Sequence, residues 1–266
     1  MLPICLITAL IIDTTSAQTF EVASVKPSKS STGRFVMTGG PGTSDPTRIT
    51  YTNIMLRRVL LEAYDYRNYQ IKGPNSLDSA RFDIAATLPA GTSKVQFQTM
   101  LQNLLTTRFQ MTTHVETKEM PVYALLVGKN GIKLKPTTAE PATDDLAVVQ
   151  RQEAKDGFPV VSLPPGALVI ETKNGRARVT AKDIPLAKLA DFLTGQLGRP
   201  VLDKTGLAGT YTLAVYFTPE NSTTGEASDP YLPTALQEQL GLRVEARKEN
   251  VELFVIDHAE KIPTEN

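Results

Sequence analysis

Two stretches of the chain repeat one another at a nearly constant spacing. RITYTNIMLRRVLLEAY, at positions 48–64, aligns with RVTAKDIPLAKLADFLT, at positions 178–194. Equivalent pairs lie 130 positions apart: Ile54 and Ile184, Leu56 and Leu186, Ile71 and Val201, Leu77 and Leu207. After a one-residue gap the register continues from Leu101 and Leu232. One offset held over several elements indicates an internal duplication, which restricts the chain to two related units.

Each copy has the same predicted order of elements. An alternating strand reaches Asn53 or Asp183, which we expect to cap a helix, and Pro185 suits the first turn of the second copy's helix. A second helix is predicted over Lys94–Thr107 and over Leu232–Leu240. Each copy then closes with a hairpin: Gln110–Glu116 with Val122–Gly128, and Arg243–Arg247 with Val251–Asp257. The predicted fold is α+β, a tandem duplication of a small βαββαββ unit with mixed or antiparallel sheets and two helices per unit.

Composition changes divide the chain into four segments. We expect a signal peptide over residues 1–17, a first α+β repeat over 18–136, and a second over 158–266. Residues 137–157 are predicted to be a linker, because their sequence is rich in Pro, Ala, Thr and Asp and has little periodicity. PENSTTGEASDP, at positions 219–230, is expected to form a surface loop.

The N-terminal segment resembles a secretory signal. An apolar run from Leu2 to Ile12 precedes small residues that suit cleavage after Ala17. No Lys or Arg precedes the run and Asp13 ends it, so a buried strand or an anchor is the alternative. Cleavage would remove Cys5, the only cysteine, and with it any thiol chemistry. We therefore expect a secreted or periplasmic protein with no membrane span after cleavage.

Charge and aromatic content argue against nucleic acid as a partner. Lys and Arg together number 28, as do Asp and Glu, so no net positive field exists to attract phosphates. Aromatic residues make up 6% of the chain and Trp is absent, which weakens any interpretation based on base stacking.

The sequence offers no recognisable catalytic set. His114 and His258 are the only histidines, and neither an H-E-x-x-H nor a G-x-S-x-G motif occurs. TGGPGTSDP, at positions 38–46, lacks the G-K-[ST] ending of a phosphate loop and indicates a hairpin connection instead. We expect no metal, no cofactor and no enzymatic activity.

The stretch DKTGLAGTY is the most polar corner of the second copy. Asp203 and Lys204 lie at a predicted strand end, Gly206 and Gly209 supply turn conformations, and Tyr211–Phe217 alternates as a half-buried strand. A structural turn or contact loop is the favoured interpretation, with a ligand contact as the alternative. Contacts with a ligand or partner are expected at Asp203, Lys204, Tyr211, Arg81 and His114.

Several runs resemble known families. FEVASVKPS, ARFDIAA, MLQNLLTTRFQMTTHVETKEMPVYALLV and RPVLDKTGLAGTYTL resemble a family of uncharacterised secreted proteins, expanded in soil acidobacteria, with a domain of unknown function. Each half also resembles the short N-terminal domain of secretins and TonB-dependent receptors, which implies a periplasmic βαββαββ fold used for protein contacts. Ser76 and Tyr211-Thr212 depart from the family pattern, so ligand roles at those two family positions do not transfer to this chain.

These observations favour a non-enzymatic protein-interaction module whose partner is an envelope or secreted protein. The candidate edges for strand addition are the closing segments Val122–Gly128 and Val251–Asp257. One alternative is an extracytoplasmic sensor that binds a small ligand or envelope fragment between the repeats. Another is a hydrolase with an unrecognised site.

Overall fold

The computed structural model describes residues 19–29, 33–137, 149–153, 157–220, 222 and 229–264. The strands are β1 (Val22–Pro27), β2 (Val36–Gly39), β3 (Arg48–Met55), β4 (Ile71–Lys72), β5 (Arg81–Thr87), β6 (Thr112–Val127), β7 (Val149–Glu153), β8 (Pro159–Val161), β9 (Leu168–Lys173), β10 (Arg176–Ile184), β11 (Val201–Asp203), β12 (Tyr211–Phe217) and β13 (Leu242–His258). The α-helices are α1 (Leu56–Ala63), α2 (Ser76–Ser79), α3 (Lys94–Phe109), α4 (Leu186–Leu197) and α5 (Leu232–Ala235), and a π-helical turn at Leu236–Leu240 continues α5 to the end of the helix predicted over Leu232–Leu240. The fold is therefore mixed α+β.

The chain divides into two compact units. The first contains the described residues up to Thr117 together with those from Glu252 onward, and the second runs from Lys118 to Val251. The boundary between the two units falls within β6 and within β13. The predicted signal peptide, residues 1–17, lies outside the described residues, as do most of the predicted surface loop and residues 138–148 and 154–156 of the predicted linker. β7 lies inside that predicted linker and pairs with β8.

The first unit is built on an antiparallel sheet of order β1-β5-β3-β2. Apolar residues alternate along β3 and β5, so that one face of the sheet packs against helices α1 and α3. α3 begins with a capping box, in which Ser93 Oγ accepts from Gln96 N and Gln96 Oε1 accepts from Ser93 N. β4 adds a short parallel pairing with the end of β13.

The second unit has an antiparallel sheet of order β12-β10-β9. β9 and β10 form a hairpin whose turn residues, Asn174 and Gly175, have φ of 51° and 77°. α4 buries Leu186, Leu189, Ala190 and Leu193. β11 pairs in parallel with the second half of β6.

The prediction that Asn53 and Asp183 cap helices is wrong. Both residues adopt left-handed φ, 56° and 52°, at bulges in β3 and β10, and the helix caps are Met55 and Pro185. Short polar side chains tolerate this backbone region better than most, which explains why these residue types stand at both bulges.

The two predicted closing hairpins are also wrong. β6 continues from Thr112 to Val127 and β13 from Leu242 to His258 without a reversal. A tight hairpin needs residues with positive φ, and neither strand contains one. The predicted edges therefore lie on interior strands, since the sheet order is β11-β6-β13-β4.

Candidate functional site

The three predicted contact residues in DKTGLAGTY each contact other groups within the second unit. Asp203 Oδ1 accepts from the backbone N of Thr205 at 3.0 Å and from its Oγ1 at 2.7 Å, which closes a small turn. Tyr211 is 2% exposed and its hydroxyl donates to Ala208 O at 3.0 Å. Lys204 Nζ lies 2.9 Å from a carboxylate oxygen of Glu249. These three residues belong to the second unit.

The other two predicted contact residues lie in the first unit. Arg81 Nη1 donates to Asn53 O at 3.1 Å and so supports the bulge in β3. His114 Nδ1 lies 2.9 Å from Asp257, and about half of each side chain is exposed. The five predicted residues thus do not form one cluster within either unit. No group of three His, Cys, Asp or Glu side chains suited to a metal occurs among the described residues.

A groove beside strand β1 is the most distinctive surface of the first unit. β1 is the last strand of its sheet and pairs with β5, in the part of the chain that the structure describes, on one side only. Ser28 N donates to Arg81 O at 2.8 Å. Because hydrogen bonds alternate along an antiparallel pair, the backbone amides and carbonyls of Ala23 and Val25 are directed away from β5.

Helix α3 forms the opposite wall of this groove. A cavity of about 360 Å³ lies between the two walls. Its helical lining residues follow the spacing of one helix face: Met100, Asn103, Leu104, Thr107 and Arg108. On the strand side the lining comes from Thr19, Phe20, Glu21 and Ala23. The ring of Phe20 contacts that of Phe97 edge-on, with centroids 6.1 Å apart, which anchors the start of β1 on the helix.

The C-terminal segment borders the same groove. Thr264 N donates to Arg108 O at 2.8 Å, and Glu260 N donates to Phe109 O at 2.7 Å, so the segment caps the end of α3. A second cavity, of about 600 Å³, lies between Ser24–Pro27 and Ile262–Thr264. Thr264 lines both cavities, which places them end to end along β1. Ile262 is 74% exposed and Val22 is 65% exposed.

This groove carries chemistry for binding. It is lined by backbone donors and acceptors that are directed away from β5, by an apolar floor formed by Phe20, Met100 and Leu104, and by polar groups at its rim. Sequence reasoning missed the groove, because the groove depends on where strand β1 lies in its sheet. Whether that strand lies at an edge depends on its neighbours in the sheet, and no local pattern reveals them.

Comparison with models of protein families shows to which family the chain belongs. A family model described as a protein of unknown function, DUF3738, matches residues 57–259. The chain belongs to the DUF3738 family. In this DUF3738 protein the matched span includes α3 and all of β13, whereas β1 precedes it. One wall of the groove therefore lies inside the family match and the other outside it.

Other comparisons add no relative for this DUF3738 protein. No curated protein and no solved structure matches the chain. None of the helices that the structure describes has the length and apolarity needed to span a bilayer.

Proposed function

We propose that this chain is a non-enzymatic binding protein that holds an extended segment of a partner protein against β1. The observation that carries the proposal is the groove between the outer side of β1 and helix α3. Strand addition uses backbone hydrogen bonds for affinity and pockets for alternate side chains for specificity, and this groove offers both.

The backbone supplies the first part of the argument. Ala23 and Val25 direct their amides and carbonyls outward, while their side chains pack against the core of the first unit. A partner strand could therefore pair with β1 without disturbing its bonds to β5. Pro27 has no amide to donate, so we expect the added strand to pair over the earlier part of β1.

The cavity supplies the second part. Its volume, about 360 Å³, lies at the lower end of the roughly 300–1,000 Å³ typical of ligand pockets. Met100 and Leu104, each 5% exposed, form an apolar floor on the helix side. An added strand would place alternate side chains toward this floor, so we expect apolar residues at every second position of the bound segment.

The experiment starts with selection of binders from a random-peptide display library on the whole protein. A selected peptide is then N-methylated at one set of alternate amides or at the other, and binding is measured by calorimetry. One set should reduce affinity at least 10-fold and the other should have little effect, because only one set faces β1. Equal effects of the two sets would contradict strand addition.

Two matched substitutions locate the binding site. Thr106 and Thr107 are adjacent and exposed, and each side chain donates a hydrogen bond to the carbonyl four residues earlier. Of these two residues, only Thr107 lines the cavity. Thr107→Trp should abolish peptide binding by filling the groove, whereas Thr106→Trp should leave affinity unchanged. Unchanged affinity in Thr107→Trp would exclude this groove as the site.

We also propose that the protein acts outside the cytoplasm after cleavage behind Ala17, with an envelope or secreted protein as its partner. The apolar run and the small residues before Gln18 support this. N-terminal sequencing of protein isolated from its native host should begin at Gln18. A start at Met1 would contradict the proposed processing.

Finally, we propose that the chain is a tandem duplication. Beyond the constant sequence offset, the bulges at Asn53 and Asp183 are equivalent in position and in φ. Each bulge amide donates to a side chain on the next strand: Asn53 N to Asp83 Oδ1 at 2.8 Å, and Asp183 N to Thr212 Oγ1 at 3.1 Å. Shared strain at matched positions supports common ancestry of the two units better than apolar periodicity alone.

A further inference from the structure

We infer that the two repeats exchange their closing strands, so that each compact unit is completed by a strand from the other repeat. The inference rests on the proposed duplication and is independent of peptide binding. It concerns β6, which closes the first repeat in sequence, and β13, which closes the second.

In the first unit, the closing position is filled by the end of β13. Ile71 pairs with Phe254 and Lys72 with Val255, in parallel. Phe254 and Ile256, 5% and 2% exposed, belong to the core of this unit. The ring of Tyr66 stacks on Phe254 at 4.9 Å. Strand β13 is thus a packed part of a unit otherwise built from the first repeat.

In the second unit, the same position is filled by β6. Val201 pairs with Tyr123, Leu202 with Ala124 and Asp203 with Leu125, again in parallel. Leu125 is fully buried in the core of this unit. The backbone of Lys204 donates to Leu125 O at 2.9 Å and continues the pairing. A unit otherwise built from the second repeat is therefore closed by the first repeat.

The two pairings are equivalent residue by residue. Ile71 and Val201 are 130 positions apart, and Tyr123 and Phe254 are 131 apart, which are the offsets of the sequence repeat. The pair Ile71 with Phe254 therefore corresponds to the pair Val201 with Tyr123. Without exchange, β4 would pair with β6 and β11 with β13. The observed pairing is the reciprocal alternative.

The absence of a turn explains why the strands cross over. The middle of β6 reads TKEMP, and the middle of β13 reads RKEN. Neither segment contains glycine, and no residue of β6 or β13 has positive φ. Where this chain does form a tight hairpin, between β9 and β10, it uses Asn174-Gly175. A connection that cannot turn the chain back on its own repeat favours exchange of the following strand segment with the other repeat.

Exchange makes the repeats depend on each other for folding. The first unit needs Phe254 and Ile256 from the second repeat, and the second needs Leu125 from the first. Neither repeat contains all the apolar residues of one core. We therefore expect both units to fold only when both repeats are present.

Disulfide trapping in the full chain tests the exchange. Cys5→Ser removes the native thiol, and a protease site is inserted in the predicted linker. Cysteine pairs are then introduced at four positions: Lys72, Ala124, Leu202 and Val255. Paired residues on neighbouring strands have the Cα separation that a disulfide requires. The exchanged pairs are 72 with 255 and 202 with 124, and the matched control pairs are 72 with 124 and 202 with 255.

After oxidation and linker cleavage, the products are separated on a non-reducing gel. The exchanged pairs should hold the two fragments together at the mass of one chain, and reduction should release them. In each control pair both cysteines lie in the same fragment, so they should stay unlinked, and maleimide labelling of the separated fragments should count them as free thiols. Each variant is melted under reducing conditions to show that it is folded, and two independent exchanged pairs guard against failure of one.

The opposite results overturn the inference. Cross-links in the control pairs would mean that each closing strand stays with its own repeat. In samples that are oxidised but not cleaved at the linker, products of twice the chain mass would mean that the strand comes from a second copy. Failure of both exchanged pairs to cross-link in folded protein would also overturn it. None of these results bears on peptide binding, which the N-methylation experiment tests separately.

Discussion

His114 Nδ1 lies 2.9 Å from each carboxylate oxygen of Asp257. The hydrogen bond that the His114 imidazole donates to Asp257 raises the pKa of His114 above its usual value; the negative charges of Asp257 and Glu116 act in the same direction, and desolvation opposes them. The protonated imidazole is therefore favoured in the folded protein. The pair stabilises the fold fully below the unfolded pKa, about 6.5, and this contribution is lost as pH rises through the folded pKa.

Asp257→Asn should lower the pKa of His114 toward its usual value. The measurement is a pH titration of the imidazole resonances by NMR. Glu260→Gln is the matched control, because it removes the carboxylate 3.2 Å from the other histidine, His258, and leaves the His114–Asp257 pair intact. An unchanged titration midpoint of His114 in Asp257→Asn would show that the carboxylate does not raise the pKa of His114.

Asp83→Ala should destabilise the first unit through the bulge in β3. Asn53 is 4% exposed and its backbone amide donates to Asp83 Oδ1. A buried donor left without its acceptor costs about 1–3 kcal/mol, and urea unfolding of the whole protein measures the loss. The equivalent change in the second unit, Thr212→Val, affects an exposed bond and should cost less. Equal losses would contradict the difference in burial.

Gly39→Ala should destabilise the protein more than Gly42→Ala. Both glycines have positive φ, 81° and 82°, so alanine adds backbone strain of about 1–2 kcal/mol at either position. At Gly39 a Cβ would also overlap the carbonyl oxygen of Arg48, whereas Gly42 faces open space. The overlap should add about 1–3 kcal/mol. Similar melting temperatures for the two variants would mean that the turn can relax.

Arg178→Ala should be among the most damaging single changes in the second unit. Arg178 Nε donates to Glu171 at 3.0 Å, its guanidinium lies 5.0 Å from the ring centroid of Phe158, and the side chain is 8% exposed. Removing one partner of a buried ion pair costs about 3–5 kcal/mol, since the other charge stays buried.

Lys248→Ala is the control for Arg178→Ala. Lys248 Nζ lies 3.8 Å from Glu119, and both side chains are mostly exposed. Such pairs contribute about 0–1 kcal/mol, so the free energy of unfolding, measured in urea, should hardly change. A large loss in Lys248→Ala, or none in Arg178→Ala, would contradict this reasoning.

Local pattern predicted several elements closely. The helix predicted over Lys94–Thr107 is α3, Lys94–Phe109, and the half-buried strand predicted over Tyr211–Phe217 is β12. In both cases apolar periodicity and terminal signals agree, and burial of one face then stabilises the predicted element. Asn53 and Asp183 were recognised as special positions, but a cap and a bulge use the same short polar residues, so their role was misread.

The candidate site could not be predicted in the same way. The groove is formed by Ala23 of β1, Leu104 of α3 and Thr264 of the C-terminal segment, residues far apart in sequence. Their proximity follows from packing alone. The predicted contact residue Tyr211 is buried. The sequence could not show this, because a Tyr in an alternating strand can face either side of the sheet until the layer that packs on the sheet is known.

The sequence by itself determined the α+β class and the apolar faces of α3, α4 and β12, because these depend on periodicities of 3.6 and 2 within single segments. Only the tertiary structure decided that β1 is an edge, that β6 and β13 are interior strands, and which unit each of them completes. Backbone hydrogen bonds are the same for every strand, so pairing between distant segments depends on how whole cores pack together.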